Sequence, residues 1–457
     1  MEFIGRKEEL KKLKQAYSSD EYEGILIYGR RRIGKSELIK ESYKSENCKV
    51  IYYECIKVSE ESNTCSFSAV IGNVFNLPTP SFSSFAKAVE FLFKQSINEK
   101  IILVLDEYPY LREKIQGCDS IFQKIIDTYA FNCKMKLILC GSYVDIMEKL
   151  IAEDNPLYKR ISIALNIKQM DYYESAMFYP RFSNEDKVKI YSVFGGLPYY
   201  NRFIDDSKTV KENIIELVAS KGARFENDPM TSLETEISKM TNANETFLSI
   251  AKGKVKFNDI LNSSHVSSSP TLDDTLKRLI LMDVIKKEYP INDETEKKSL
   301  YSISDRMSRF FYRYIFPRMS YFSIMKAEDF YDEFIEKDFE TQFVPKEFEE
   351  ITKQYLIRKN KAGLIKPPLY KVGKYYYDAK KKKNGEFDVV TLNKNGYDFY
   401  EVKFTNAPIG DSVVNEEIKQ LNEIGLKYNR IGFVSKSGFS ITDNNGYILI
   451  TIDDIYN

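Results

Sequence analysis

Two groups of residues in this 457-residue chain have types and spacings that could do chemistry. The first is Gly29-Arg30-Arg31-Arg32-Ile33-Gly34-Lys35-Ser36, which fits G-x-x-x-x-G-K-[ST] at every fixed position. Small residues let such a loop fold tightly, so that its backbone N–H groups converge on phosphate oxygens. The N-terminus of a following helix adds partial positive charge. Lys35 can reach β- and γ-phosphates, and the Ser36 hydroxyl suits a Mg²⁺ ligand. Gly29, Ile33, Gly34, Lys35, Ser36 and Glu37 are therefore the expected nucleotide contacts. Farther on, Asp106-Glu107 closes an apolar run. Asp106 is placed to hold Mg²⁺ through water, and Glu107 to orient or deprotonate an attacking water.

The second group is Asp388, Glu401 and Lys403, with Glu349 upstream. Two carboxylates and the Val402 carbonyl suit Mg²⁺ or Mn²⁺, and Lys403 could help deprotonate a metal-bound water. This is the D-(x)n-[DE]-x-K layout of metal-dependent nucleases. Alone it is a weak pattern, because E-x-K also occurs in solvated strands. Between Lys353 and Lys383 there are eleven Lys/Arg and one acid, Asp378. A basic rim of that kind is what a nucleic-acid substrate requires, although a charge run also serves as a solvated loop.

Positioning these residues takes specific elements. Gly24–Tyr28 is a short apolar run readable as a buried parallel strand, and residues after Ser36 continue as helix. That strand–loop–helix context turns the glycine pattern into a phosphate site. Strand-like runs recur at Lys49–Tyr53, Ile101–Leu105 and Lys136–Cys140 with helical stretches between them, which argues a parallel α/β sheet. The carboxyl ends of its strands are the ligand side. Ser142, after the last of these runs, could sense a γ-phosphate or cap a helix. Arg160 could stabilise transition-state charge, in cis or from a neighbouring subunit, or be a solvated arginine. Arg30, Arg31 and Arg32 have no assigned role.

Met170–Asp206 reads as a helical, aromatic lid over the nucleotide site. Phe247–Lys252, Phe257–Leu261 and Thr271–Val284 read as helices, the last with Ser269 as cap and Pro270 at its first position. Ile285–Tyr289 and Ser299–Ile303 would then pair as a wing, completing a winged helix. Asp273 and Asp274 beside Lys277 and Arg278 make a poor phosphate-gripping helix, so a protein contact or spacer is the better reading. Past a helix-rich Phe330–Arg358, strands are expected at Leu369–Val372, Tyr375–Asp378, Phe387–Leu392, Tyr397–Phe404, Ile431–Ser435 and Tyr447–Ile452. Glu401 and Lys403 share one strand face. The 13 positions from Asp388 to Glu401 suffice for a hairpin that brings the carboxylates together.

The bulk numbers narrow the field. Length suggests roughly three domains, and 43% hydrophobic content is ample for cores. Lys+Arg and Asp+Glu both number 67, so only local clusters can speak for partners. No run approaches the roughly 18 apolar residues of a membrane span, and the first residues lack the apolar core of a signal peptide. The six cysteines form no C-x-x-C pair, which suggests reduced, packed thiols and a cytoplasmic protein. With one histidine, His265, most His-based catalysis is excluded. The chemistry falls to carboxylates, lysines and a divalent metal.

Assembled, these residues give the chain a resemblance to the archaeal-type ATPase family of the P-loop AAA/STAND group. The carriers are FIGRKEEL (Phe3–Leu10), GRRRIGKSEL (Gly29–Leu38), LDEYPYL (Leu105–Leu111), LCGSYVDIM (Leu139–Met147) and GGLPYY (Gly195–Tyr200). Members commonly end in a winged-helix part and a restriction-endonuclease-like domain. FEE (Phe348–Glu350), EFDVV (Glu386–Val390) and EVKF (Glu401–Phe404) fall where its motifs would. The resemblance implies adenine recognition, and no N-K-x-D guanine-reading sequence occurs. Lys159 stands where the family tends to have glycine before Arg160, and Phe387 rather than proline precedes Asp388.

The expected architecture is α/β: a P-loop NTPase parallel sheet over 1–165, a helical lid over 166–232, a winged-helix domain over 233–320 and an α/β restriction-endonuclease-like domain over 321–457. The expected ligands are ATP and Mg²⁺, with DNA as a partner. A homo-oligomer or a protein partner would be met through the winged helix. The function implied is an ATPase coupled to a Mg²⁺-dependent nuclease-like domain. The alternative is a signalling or scaffold ATPase whose tail only binds nucleic acid or protein.

Overall fold

A run such as Glu23–Tyr28 (β1), with no polar side to offer water, is stable only where a sheet is covered on both faces. From Gly24 onward every residue of β1 is buried. It lies inside a five-stranded sheet with Lys49–Glu54 (β2), Ile101–Asp106 (β3), Met135–Gly141 (β4) and Ile163–Asn166 (β5). The order is β2-β3-β4-β1-β5, with every pairing parallel. Parallel neighbours need crossover connections. They are supplied by helices Lys35–Tyr43, Glu60–Phe75, Phe85–Gln95, Tyr108–Lys114 and Cys118–Tyr129. Phe67, Phe85, Phe93, Leu103, Phe122 and Leu137 fill the core. The first four strands lie where the sequence places them. Short, half-exposed β5 was not foreseen, because it lacks the apolar run that marked the others.

In this computed structural model, residues 3–234, 240–295, 298–377, 385–444 and 446–457 are described. They fall into two units, Met1–Gln169 with Leu197–Tyr199, and Met170–Gly196 with Tyr200–Asn457. The helical stretch expected as a lid thus belongs to the second unit, apart from Leu197–Tyr199. Among the described residues no helix is long and apolar enough to cross a membrane. All six cysteines are free thiols, and Cys65 is exposed rather than packed.

In the second unit, helices Met240–Ala251, Phe257–Ser263 and Ser269–Leu281 precede an antiparallel pair, Ile285–Glu288 (β6) and Leu300–Ile303 (β7). The cap of the third helix is Ser268, one residue before the expected Ser269, and its side chain accepts from the Thr271 N–H. Beyond helix Val344–Lys361 come Lys371–Tyr377 (β8), Gly385–Asn393 (β9) and Gly396–Lys403 (β10). The short Ile409–Gly410 (β11) and helix Asp411–Ile424 follow. Arg430–Ser435 (β12), Phe439–Ser440 (β13) and Ile448–Thr451 (β14) close the chain.

The main sheet of this unit runs β14-β12-β10-β9-β8. Strands β8, β9 and β10 are antiparallel neighbours, whereas β10, β12 and β14 are parallel. Helix Asp411–Ile424 supplies the crossover from β10 to β12. The two runs expected at Leu369–Val372 and Tyr375–Asp378 are a single strand, β8, with a register shift between Gly373 and Tyr375. An irregularity of this kind breaks the alternation on which a sequence reading depends. Asp378 and the Lys380–Lys383 run lie outside the described residues.

Candidate functional site

The phosphate loop sits at the carboxyl end of β1. Gly29 has φ 150° and Gly34 φ 91°. A Cβ on Gly29 would lie 2.4 Å from the Ile167 carbonyl oxygen, so only glycine fits there. Helix Lys35–Tyr43 starts immediately after Gly34, aiming its free N–H groups at the loop. Lys35 is only 6% exposed. Its Nζ donates to the Gly29 carbonyl at 2.8 Å, the Arg30 carbonyl at 3.1 Å and Ser142 Oγ at 2.9 Å. Burial pushes its pKa below the ordinary lysine range, while Cys140, Glu107 and Asp106 pull the other way.

Asp106 ends β3 and is 3% exposed. Ser36 Oγ donates to its Oδ2 at 2.7 Å, the Tyr52 phenol donates to the same oxygen, and the Glu107 N–H donates to Oδ1 at 3.0 Å. Burial raises the Asp106 pKa, but these hydrogen bonds outweigh it and hold the carboxyl below its usual range. Glu107 adopts a left-handed backbone, φ 52°, at the start of helix Tyr108–Lys114. Its Oε1 accepts from Ser142 Oγ at 2.7 Å. The helix after Ser142 begins beyond Tyr143, which makes no side-chain cap. Ser142 joins Lys35 to Glu107, and the capping alternative falls away.

Lys35, Ser36, Asp106, Glu107 and Ser142 are thus brought to one place, with Gly29, Ile33, Gly34 and Glu37 in the loop and first helical turn. The hard oxygen donors of Ser36 and of an ionised Asp106 fit Mg²⁺. Arg160 is not among this group. Its backbone stands beside Gly24, at the opposite end of β1. Its guanidinium donates to both Asp127 carboxylate oxygens at 2.7 Å. A six-residue strand separates it from the loop by roughly 20 Å, which removes its role within its own site. Arg31, left unassigned above, donates to the Tyr110 and Tyr143 phenols at 3.2 and 3.0 Å. Arg32 lies over the Tyr199 ring at 4.5 Å.

Sequence reasoning missed two neighbours of the loop. Tyr52 gave no signal beyond its place at the end of a strand beside β3. Arg6, from the FIGRKEEL motif, is buried and donates to the carbonyls of Ile33 at 3.4 Å and Lys168 at 2.6 Å. Its left-handed backbone, φ 57°, is unusual for arginine.

In the second unit, Tyr400 pairs with Val389 across the β9–β10 hairpin, which sets Asp388 and Glu401 next in register. Glu349, Asp388, Glu401, Lys403 and Glu417 line one cavity of about 380 Å³. Three of its acids, Glu349, Asp388 and Glu401, are already matched by lysines. Asp388 accepts from Lys374 Nζ at 2.5 Å and from Lys346 Nζ at 3.1 Å. Lys346 also bonds Glu349 at 3.1 Å, and Lys403 pairs with Glu401. Burial, then the Asp388 charge, pushes Glu349 up to about 7. Burial also raises Asp388, but Lys374 and Lys346 outweigh it and leave its pKa below the usual range. Among the described residues no three Asp, Glu, His or Cys side chains converge as a metal cluster. The three-carboxylate set expected of Glu349, Asp388 and Glu401 therefore lines the cavity without closing on one point. Of the basic run, Lys353, Lys371 and Lys374 are each bound to an acid.

Residues 3–201 match a family described as an ATPase domain predominantly from Archaea. Residues 311–421 match archaeal and bacterial proteins of unknown function. An uncharacterized protein of Methanocaldococcus jannaschii is 28% identical over 472 aligned residues, covering 99% of each chain. A Walker-type ATPase of Pyrococcus abyssi is 18% identical with a TM-score of 0.51, over 68% of this chain and 96% of its own. That likeness is one of fold. The ORC2 protein of Aeropyrum pernix, solved in ADPNP–ADP complexes, is 13% identical with a TM-score of 0.48, over 68% of this chain and 93% of its own. Residues 3–201 are thus similar to an archaeal ATPase domain, and an α/β part built on a mixed sheet follows.

Proposed function

We propose that the protein binds and hydrolyses ATP in the first unit, and that the second unit is a nuclease-like domain directed at DNA. The observation that carries the first part is the Lys35 ammonium, buried and aimed at loop carbonyls and Ser142. A triphosphate entering the loop offers stronger acceptors than those carbonyls. Ser36 and Asp106 would hold Mg²⁺, which when bound neutralises phosphate charge. The Glu107 carboxylate takes the proton of the attacking water, and Ser142 fixes its orientation until phosphate competes for that hydroxyl. Lys35→Ala tests this reading. ATP affinity, measured by calorimetry, is expected to fall at least a hundredfold, and unchanged affinity would remove the ATPase assignment.

The second part rests on the helix–three strands–helix–strand order around Asp388 and Glu401, which supports a restriction-endonuclease-like reading. A divalent ion held by carboxylates of the cavity would supply an activated water. The competing reading, a signalling or scaffold ATPase with a tail that only binds, is favoured by the lysines that neutralise Asp388. The three helices and hairpin before it fit a winged helix that meets protein rather than DNA. On its third helix, Lys277 and Arg278 are tied to Asp273 and Asp274 one turn away. Incubation with plasmid and Mg²⁺ or Mn²⁺, with and without ATP, separates the two. Cleavage lost in Asp388→Ala supports the nuclease, and shifted DNA mobility without cleavage supports the scaffold.

A further inference from the structure

Helix Asp411–Ile424 buries Val414, Glu417 and Leu421, one residue per turn along a single stripe. A carboxylate in the middle of an apolar stripe is expensive unless something pairs with it. Glu417 is 6% exposed, and its Oε1 has no hydrogen-bond partner among the described residues. It lines the cavity beside Glu401, Val402 and Lys403. The lysines at this cavity are already engaged: Lys346 and Lys374 on Asp388, and Lys403 on Glu401. Among the described residues, then, no donor of the chain reaches this oxygen.

We propose that Glu417, together with Glu401, is the carboxylate pair that holds a divalent cation of the Mg²⁺ or Mn²⁺ class in this cavity. Such ions need only one or two carboxylates, the remaining positions being taken by carbonyl oxygen and water. Among the described residues no three-acid cluster occurs, which agrees with that count. Val402, between Glu401 and Lys403, lines the same cavity. The helix after β10 thus contributes a ligand that the D-(x)n-[DE]-x-K pattern does not contain, while Asp388 stays with its two lysines. The inference rests on reading this cavity as a cation-dependent site and goes beyond it in the choice of ligands.

The test is Mn²⁺ binding to the nucleotide-free full chain, followed by electron paramagnetic resonance in an Asp106→Asn background so that the phosphate loop does not contribute. Glu417→Gln and Glu401→Gln are expected to weaken Mn²⁺ binding at least tenfold, with Glu423→Gln, on the exposed side of the same helix, within threefold of the parent. Glu417→Leu suits the apolar stripe and should fold securely while losing the ion, which covers a poorly folded glutamine variant. Parent-like binding in both Glu417 variants, with loss in Asp388→Asn, would overturn this ligand assignment and leave the cavity reading standing. No Mn²⁺ bound by the parent would overturn both.

Discussion

The Ser142 hydroxyl donates to Glu107 Oε1 at 2.7 Å while accepting from Lys35 Nζ at 2.9 Å. One small side chain thus ties the proposed base to the residue that would grip phosphate. Glu107→Gln keeps the shape but cannot take a proton. ATP hydrolysis should fall about 10²–10⁴-fold, with ATP affinity within a few-fold of wild type. Single-turnover kinetics beside calorimetry will check both.

Ser142→Ala leaves Glu107 ionisable but unanchored. Hydrolysis should drop about tenfold, the modest cost of a lost orienting hydrogen bond. The loss should appear in kcat more than in KM. An equal loss in KM would place Ser142 in ground-state binding instead.

Tyr52 shares Asp106 Oδ2 with Ser36. Outer partners of this kind set how well a carboxylate holds its ion. Tyr52→Phe should raise the Mg²⁺ concentration for half-maximal ATPase about tenfold and leave the maximal rate nearly unchanged. A Mg²⁺ titration at saturating ATP reads this directly.

Arg160 grips Asp127 with two hydrogen bonds, and Asp127 is half exposed. Arg160→Ala should cost at most about 1 kcal/mol of stability and leave intrinsic ATPase within twofold. A double-mutant cycle with Asp127→Ala measures the pair. A hundredfold loss of ATPase that appears only at high protein concentration would instead place Arg160 in a neighbour's site.

Glu90 is held at about 2 by hydrogen bonds from Lys87 and Lys94, with Tyr129 adding a third. Its folded pKa lies below the unfolded carboxylate value, so its stabilisation is present above about pH 4.5 and disappears as pH falls toward 2. Both lysines are more than half exposed, which limits the effect to about 0.5–1 kcal/mol. Glu90→Gln should melt earlier than wild type at pH 7, and chemical denaturation should show the gap closing by pH 2.

What the sequence determined by itself is local. The G-x-x-x-x-G-K-S spacing, the apolar runs of β1 to β4 and the acids closing β3 fix the phosphate loop, because strand, loop and helix signals are contiguous in the chain. The Asp388–Glu401 hairpin was legible for the same reason, its register following from period-two alternation and a short turn. Only the tertiary structure decided the partners. Arg160 follows the sheet's last crossover, but the strand direction carries it to the end of β1 away from the loop. Tyr52 reaches Asp106 because β2 lies beside β3, a neighbour relation that spacing along the chain does not encode. Lys346 comes to Asp388 from a helix 42 residues away, and Lys374 from the neighbouring strand β8, whose register shift breaks the alternation. A charge reads as free in a sequence; whether an opposite charge quenches it depends on how separate elements pack.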